Sequence, residues 1–361
     1  VTGDPREYRD RFDAVIADVL QQALRIAVAE PALMLTGAAI LHRQRKTSAI
    51  RRKYEKEGVL VPPVMMISLT SRCNLACKGC YQRAQHRAPA PEMDERQLAS
   101  IVAQAEELGV SVIVFAGGEP LLKKNDILAL ARDHPALLFA VFTNGQLIDA
   151  EAADAFAELR NIVPVLSFEG FRAETDMRRG TGVYNRLKTA SELLRNRLVF
   201  SGISVTVTSR NLGAVVGRDF IGDMLGAGVK AFVFVEYVPI EPGTEDLVLT
   251  DGQRKNLNAA IAEFNRNSPA LFIGFPGEEG EYGGCLAAGR GFVHVSPSGS
   301  LEACPAAPYS DTNLTTLPLK EALRSGLLER IRAEHGRLTE TKGGCALWTN
   351  RDWVQGLLVK P

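Results

Sequence analysis

No apolar run in this chain is long enough to cross a bilayer. The longest near the N-terminus, "PALMLTGAAIL" (31–41), falls short of the roughly 20 residues a spanning helix needs. Net charge is missing too. The 42 Lys and Arg offset the 42 Asp and Glu, so there is no electrostatic footprint for a polyanion and no nucleic-acid partner is expected. Residues 1–16 carry charges throughout and show no apolar core followed by a small-residue cleavage site, so no signal peptide is read there. The expected location is cytoplasmic, where thiols stay reduced. Cysteine is scarce, six in 361 residues, and in a reducing compartment clustered cysteines read as metal ligands or catalysts before disulfides.

What remains fits a soluble globular protein. Hydrophobic residues make up 46% and charged residues 23%, and the length suits one large α/β domain with appendages. Residues 5–57 read as helical: "YRDRFDAVIADVLQQALRIAVA" ends at Pro31, and "ALMLTGAAILHRQRKTSAIRRKYEKEG" is closed by Gly58. The basic end of the second stretch, Arg43 to Lys56, reads as a solvated helical face or as a patch facing lipid or phosphate.

From residue 64 β-branched runs alternate with helical ones. The strand-like runs are "VMMISLT" (64–70), "VSVIVFAGG" (110–118), "LLFAVFTNG" (137–145), "IVPVLSFEG" (162–170), "SGISVTVTS" (201–209) and "KAFVFVEYVP" (230–239). Helical stretches such as 94–109 and 183–197 separate them. Repeated strand–helix units imply parallel strands with right-handed crossovers, and six of them imply a partial (β/α)6 parallel barrel, whose chemistry would sit at the C-terminal strand ends. After residue 270 the pattern changes. "GFVHVSPSGSLEACP" (291–305) reads as a hairpin with a Ser-Gly turn, and a helix is expected over roughly 318–333. The expected division is a helical N-terminal extension (1–61), the barrel (62–270) and a C-terminal module (271–361).

Half the cysteines crowd into one loop, Cys73-x3-Cys77-x2-Cys80. Three thiolates on a short loop hold a zinc ion or an iron–sulfur cluster. Structural zinc wants four ligands in C-x2-4-C pairs, and ferredoxin runs use C-x2-C-x2-C with a fourth cysteine. A four-iron cubane held by three thiolates leaves one iron able to take a chelating molecule.

C-x3-C-x2-C on the loop after the first strand resembles the signature of the radical S-adenosylmethionine (SAM) superfamily. The resemblance spans residues 64–240 and recurs at strand ends. "GGEP" (Gly117, Gly118, Glu119, Pro120) resembles the segment that binds the SAM amino group. "TNG" (Thr143, Asn144) and "SFEG" (Ser167) resemble the ends that reach its ribose and carboxylate. "VTVTSRN" (Thr206, Thr208) resembles the segment near the adenine. Members usually carry an aromatic residue just before the third cysteine; here Gly79 stands there and Tyr81 follows. The resemblance implies a [4Fe–4S] cluster on Cys73, Cys77 and Cys80, SAM chelated at its open iron, an external electron donor such as flavodoxin or ferredoxin, and hydrogen abstraction from a substrate C–H. Glu169, Arg178, Arg179 and Glu236 are expected at the barrel mouth, the arginines able to hold a carboxylate bidentately.

Cys285 and Cys304 frame C-x13-G-x4-C, and Cys345 completes a second trio. The frame resembles the opening of SPASM and Twitch extensions, which hold auxiliary clusters. With one cysteine left, the shorter Twitch type with a second [4Fe–4S] cluster is implied, and His294, Asp352, His335 or substrate would supply the fourth ligand. A three-Cys, one-His zinc site is the alternative. The helical N-terminus lacks the β-rich module that often binds a leader peptide. The expected substrate is therefore a polar small molecule. By size and layout the chain resembles the radical SAM decarboxylase of cytosylglucuronic acid in nucleoside-antibiotic biosynthesis; the alternative is a maturase of a ribosomally made peptide.

Overall fold

The computed structural model describes residues 46–87, 89–276, 284–338 and 345–358. The first expected N-terminal helix and the start of the second lie outside these residues. What is described of the second is a helix over 46–56. Among the described residues no helix is long and apolar enough to cross a membrane.

All six expected strands form: β1 (Val64–Ser68), β2 (Val112–Ala116), β3 (Leu138–Thr143), β4 (Ile162–Phe168), β5 (Gly202–Val207) and β6 (Ala231–Glu236). Three more follow, β7 (Leu271–Phe275), β8 (Phe292–Val295) and β9 (Leu301–Glu302). They make one sheet in the order β7-β6-β5-β4-β3-β2-β1-β8-β9. Every pairing is parallel except that of β8 with β9. The sheet curls into a partial parallel barrel, as expected, but two further strands continue it. β7 pairs with β6. The first strand of the expected hairpin pairs with β1, Val64 opposite Phe292 and Met66 opposite His294. The curl brings side chains of β7 and β8 together, with the Phe275 and Phe292 rings 5.6 Å apart.

Side-chain alternation assigns the two faces. On β2 and β3 the outward residues Ile113, Phe115, Phe139 and Val141 are fully buried beneath helices, Phe115 stacking on Phe139 at 5.5 Å. Phe232 stacks on Phe272 at 4.6 Å on the same outer layer. Two of the long helices start on capping boxes. Asp94 and Gln97 form a reciprocal capping box at Glu95–Leu108, which ends on left-handed Gly109, and Thr250 with Gln253 repeats the box at Asp251–Asn267. The helix expected over 318–333 is broken in two, Leu319–Ala322 and Gly326–Ala333, because the Ser325 hydroxyl caps the second at Leu328 N (3.2 Å).

The 46–56 helix is held by a buried charge. Arg51 donates to Gly109 O (2.6 Å) and to Ser111 Oγ (2.9 Å). Arg51→Met leaves the Gly109 carbonyl without this donor, so the midpoint of urea unfolding should fall by an amount equivalent to about 1–3 kcal/mol, with the slope unchanged.

Candidate active site

The loop carrying the first trio leaves β1 and folds against the end of β2. Gly118 N donates to Thr70 O (2.7 Å) and Glu119 N to Arg72 O (2.8 Å). A Cβ on Gly118 would lie 1.9 Å from Arg72 O, and one on Gly117, whose φ is +117°, 2.6 Å from Thr70 O. The neighbour these paired glycines admit is the cysteine loop. Glu92 ties the same stretch down, accepting from Thr70 Oγ1 (2.9 Å), Ser71 N (2.8 Å) and Ser71 Oγ (2.8 Å). Burial pushes the Glu92 pKa up, but these bonds and Arg72 outweigh it and hold it below the usual range. At the other end Lys78 N donates to Arg178 O (2.9 Å). Gly79, at φ +62°, leaves room for Tyr237: a Cβ there would lie 2.7 Å from the phenol oxygen.

Cys73 is exposed, while Cys77 and Cys80 are half-buried. Burial pushes the Cys73 thiol up, and negative charge on Glu119, Cys77 and Cys80 adds to it, opposed by a bond from Leu75 N. Three thiolates beside a carboxylate repel one another, and a cationic centre is what relieves that repulsion; the donor set fits an iron–sulfur cluster. Among the described residues no group of Cys, His, Asp or Glu gathers as a single-ion site. A cubane binds each thiolate at a different iron, so its three sulfurs need not converge.

Around the thiols the strand ends form a polar rim. Glu119 is buried and accepts from Thr143 Oγ1 (2.6 Å), Asn144 N (2.8 Å) and Leu121 N (3.0 Å). Burial raises its pKa; these bonds and Arg179 oppose the rise. Asn144 Nδ2 points to Cys73 Sγ (3.8 Å) and Asn74 Oδ1 (2.7 Å). Pro120 opens the turn behind Glu119. Glu169 gathers both expected arginines: Arg178 Nη1 donates to its Oε1, as does Arg179 Nε (2.8 Å), while its buried Oε2 has no hydrogen bond among the described residues. Arg178 also reaches Thr206 Oγ1 (3.0 Å), and Arg179 Nη1 lies 4.0 Å from Cys77 Sγ. Burial works against the Arg178 charge, but Glu169 with Cys77 and Cys80 outweighs it and raises the pKa. Ser167 Oγ meets Ser204 Oγ at 3.3 Å.

Glu236 does not join this group. It shares the outward face with Phe232 and Phe234, and Arg254 Nε bonds it at 2.8 Å. Burial raises its pKa, opposed by Arg254. Tyr81 sits toward the second trio: burial and Cys80 raise its pKa, with Cys304 and Glu302 adding and Arg87 opposing. Two residues escaped sequence reasoning. Asn211 accepts from Thr208 N (2.7 Å) and Thr208 Oγ1 (3.0 Å) and donates to Glu169 O (2.9 Å), bracing β4 against β5. Its only signal was its place in "VTVTSRN". Tyr237 follows the last residue of β6 and faces Gly79, a pairing invisible in sequence.

In the second trio Cys304 bonds Cys345, and Cys285 lies within reach of Cys304's charge. Cys285 and Cys304 are buried and Cys345 half-buried. The Cys304 thiol is pushed far up by its hydrogen bond with Cys345, by burial, and by Cys345 and Cys285 charge. Of the expected fourth ligands, His294 is engaged on both ring nitrogens, by Ser68 Oγ (2.8 Å) and Glu302 Oε2 (2.8 Å). His335 Nδ1 lies 2.9 Å from Arg332 O.

Residues 67–211 match the radical SAM superfamily. Over that stretch the chain is similar to radical SAM domains. The chain is 32% identical to pre-heme d1 synthase of Dinoroseobacter shibae over 41% of its own length, and that match spans 37% of the relative, little more than a third. It is 29% identical to mycofactocin maturase MftC of Mycobacterium ulcerans over 83% of this chain and 87% of that one. The fold is shared with Streptococcus suis SuiB, solved with S-adenosylmethionine (TM-score 0.64, 19% identity, 85% of this chain and 76% of that) and with precursor peptide SuiA (TM-score 0.63, 18% identity, 85% and 74%). The family brings a [4Fe–4S] cluster and SAM, and SPASM-type relatives bring auxiliary clusters.

Two measurements follow. Anaerobic reconstitution should load about eight irons, from four per cubane, and the Cys285→Ala/Cys304→Ala/Cys345→Ala variant about four; an unchanged count would remove the second site. Gly118→Ala should abolish iron loading even though it removes no ligand, because backbone oxygen occupies the methyl position; normal loading would show that the loop is held otherwise.

Proposed function

We propose that this radical SAM enzyme is a maturase that modifies a peptide. The alignment with a maturase along most of both chains carries this reading, and the fold shared with a peptide-bound structure supports it. The site's chemistry points the same way. Both arginines expected to clamp a substrate carboxylate already bond Glu169. The barrel's inward face below them is mainly apolar on β2, β3 and β6, with the Ser167–Ser204 pair and the Ser68–His294 pair as its polar spots. Thr206 lies opposite Val235, and Val165 opposite Phe142 in register; Val114, Phe142, Val233 and Val235 are half-buried there. Such a face suits an uncharged side chain better than a sugar acid, whose unpaired carboxylate would be costly to bury.

When bound, the cluster and SAM supply hydrogen-atom abstraction from an unactivated C–H bond, with electrons from an external one-electron donor. The chain's own residues do the rest. Cys73, Cys77 and Cys80 hold the metal. Glu119 and Asn144 shape the wall beside Cys73. Arg178 and Arg179, fixed by Glu169, present positive charge at the cluster edge and serve the cofactor. Ser167, Thr206 and Thr208 complete the rim, and the inward face excludes water. Glu236, turned outward, has a structural role.

The reading is tested by isotope transfer. Reduced enzyme with SAM is given uniformly deuterated short peptides or deuterated cytosylglucuronic acid. Deuterium should enter 5′-deoxyadenosine from a peptide and not from the nucleoside; the reverse would restore the decarboxylase reading.

A further inference from the structure

A buried polar chain runs between the two cysteine trios, and nothing in the chemistry above uses it. Ser68, the last residue of β1, meets His294 Nε2 at 2.8 Å; His294 Nδ1 meets Glu302 Oε2 at 2.8 Å. Arg87 donates to both Glu302 oxygens, at 2.6 and 3.0 Å. Exposure is 0% for Ser68, 1% for His294 and 3% for Glu302. The Ser–His–Glu order is that of a nucleophilic triad, but a hydroxyl with no exposed surface meets no substrate carbonyl. Its partners are positional.

The chain's ends matter most. Ser68 stands just before the loop of the first trio and Arg87 just after it. Both connect to the hairpin that carries Cys304, whose flanking residues are gripped on either side. Glu302 precedes it and is held by Arg87; Pro305 follows it and accepts from Gln85 Nε2 at 2.5 Å. Tyr81, next to Cys80, lies within the electrostatic reach of Cys304 and Glu302. One loop is therefore strapped, before and after its thiols, to the element bearing the central cysteine of the other site.

We propose that Ser68, His294, Glu302 and Arg87 form a positioning clamp that fixes the two metal sites relative to one another, so that each centre feels the charge and spin of the other. A buried carboxylate bonded by both Arg87 nitrogens and by His294 holds its geometry, because losing the guanidinium would strand its charge, and Coulomb interaction falls with separation. The clamp stands apart from the peptide reading, since its test involves no substrate.

The experiment uses the full chain, reconstituted and reduced, read by EPR with iron content in parallel. Wild type with both clusters reduced should show spin–spin broadening of the two signals. Arg87→Ala and His294→Phe should lose the broadening at full iron content, and Arg87→Lys should keep most of it. Ser68→Ala, the mildest change, decides the matter if the larger substitutions fail to load iron: it should narrow the signals. Uncoupled signals in wild type, or unchanged broadening in Ser68→Ala and in every variant that loads both clusters, would overturn the clamp.

Discussion

Everything at the site depends on one close approach, that of the Gly117–Gly118 backbone to residues 70–72. Two short backbone bonds seat the cysteine loop on the end of β2, and no side chain larger than hydrogen fits at Gly118. The thiols sit on the far part of that loop, so their placement is inherited from this contact. Glu119 begins where the glycines end, which is why its carboxylate reaches β3 at Thr143 and Asn144 and also acts on Cys73. Glu92 from the segment beyond the trio, and Lys78 through the Arg178 carbonyl, fasten the loop from its remaining sides.

Charge is arranged in layers around that loop. Thiols, Glu119 and Glu169 gather negative charge, and Arg178 and Arg179 are the cations among them. In a partly desolvated site these interactions are stronger than in water, so a thiolate-bound metal is a structural component of the rim as well as a reagent. Below the rim the inward face is mainly apolar, broken by the Ser167–Ser204 and Ser68–His294 pairs. In the proposed function the charged edge faces the cofactor and the less polar interior the substrate, and that division is what favours a peptide over a sugar acid.

Much of this was legible in the sequence, because the deciding signals are local. Six strands were visible as β-branched runs, and the first trio as a spacing that buried structural thiols do not need. Pairing was not legible. Periodicity says that residues 291–296 form a strand but not that it lies beside β1, since register with a distant strand leaves no local mark. Nor was β7 foreseen. Glu236 shows how finely a strand end must be read: one step along β6 exchanges Glu236, facing Arg254, for Tyr237, facing the cysteine loop. The Tyr237–Gly79 contact joins residues far apart in sequence, and only coordinates display it. The second trio was found by counting, and its assembly around Cys304 rests on burial that composition does not encode.

The central claim is that Cys73, Cys77 and Cys80 carry the SAM-cleaving centre. Its most direct test is 5′-deoxyadenosine release, by liquid chromatography, after anaerobic reduction with excess SAM. The account predicts product from wild type and from Glu236→Gln, and none from the Cys73→Ala/Cys77→Ala/Cys80→Ala variant. Product from that triple variant at the wild-type rate would contradict it.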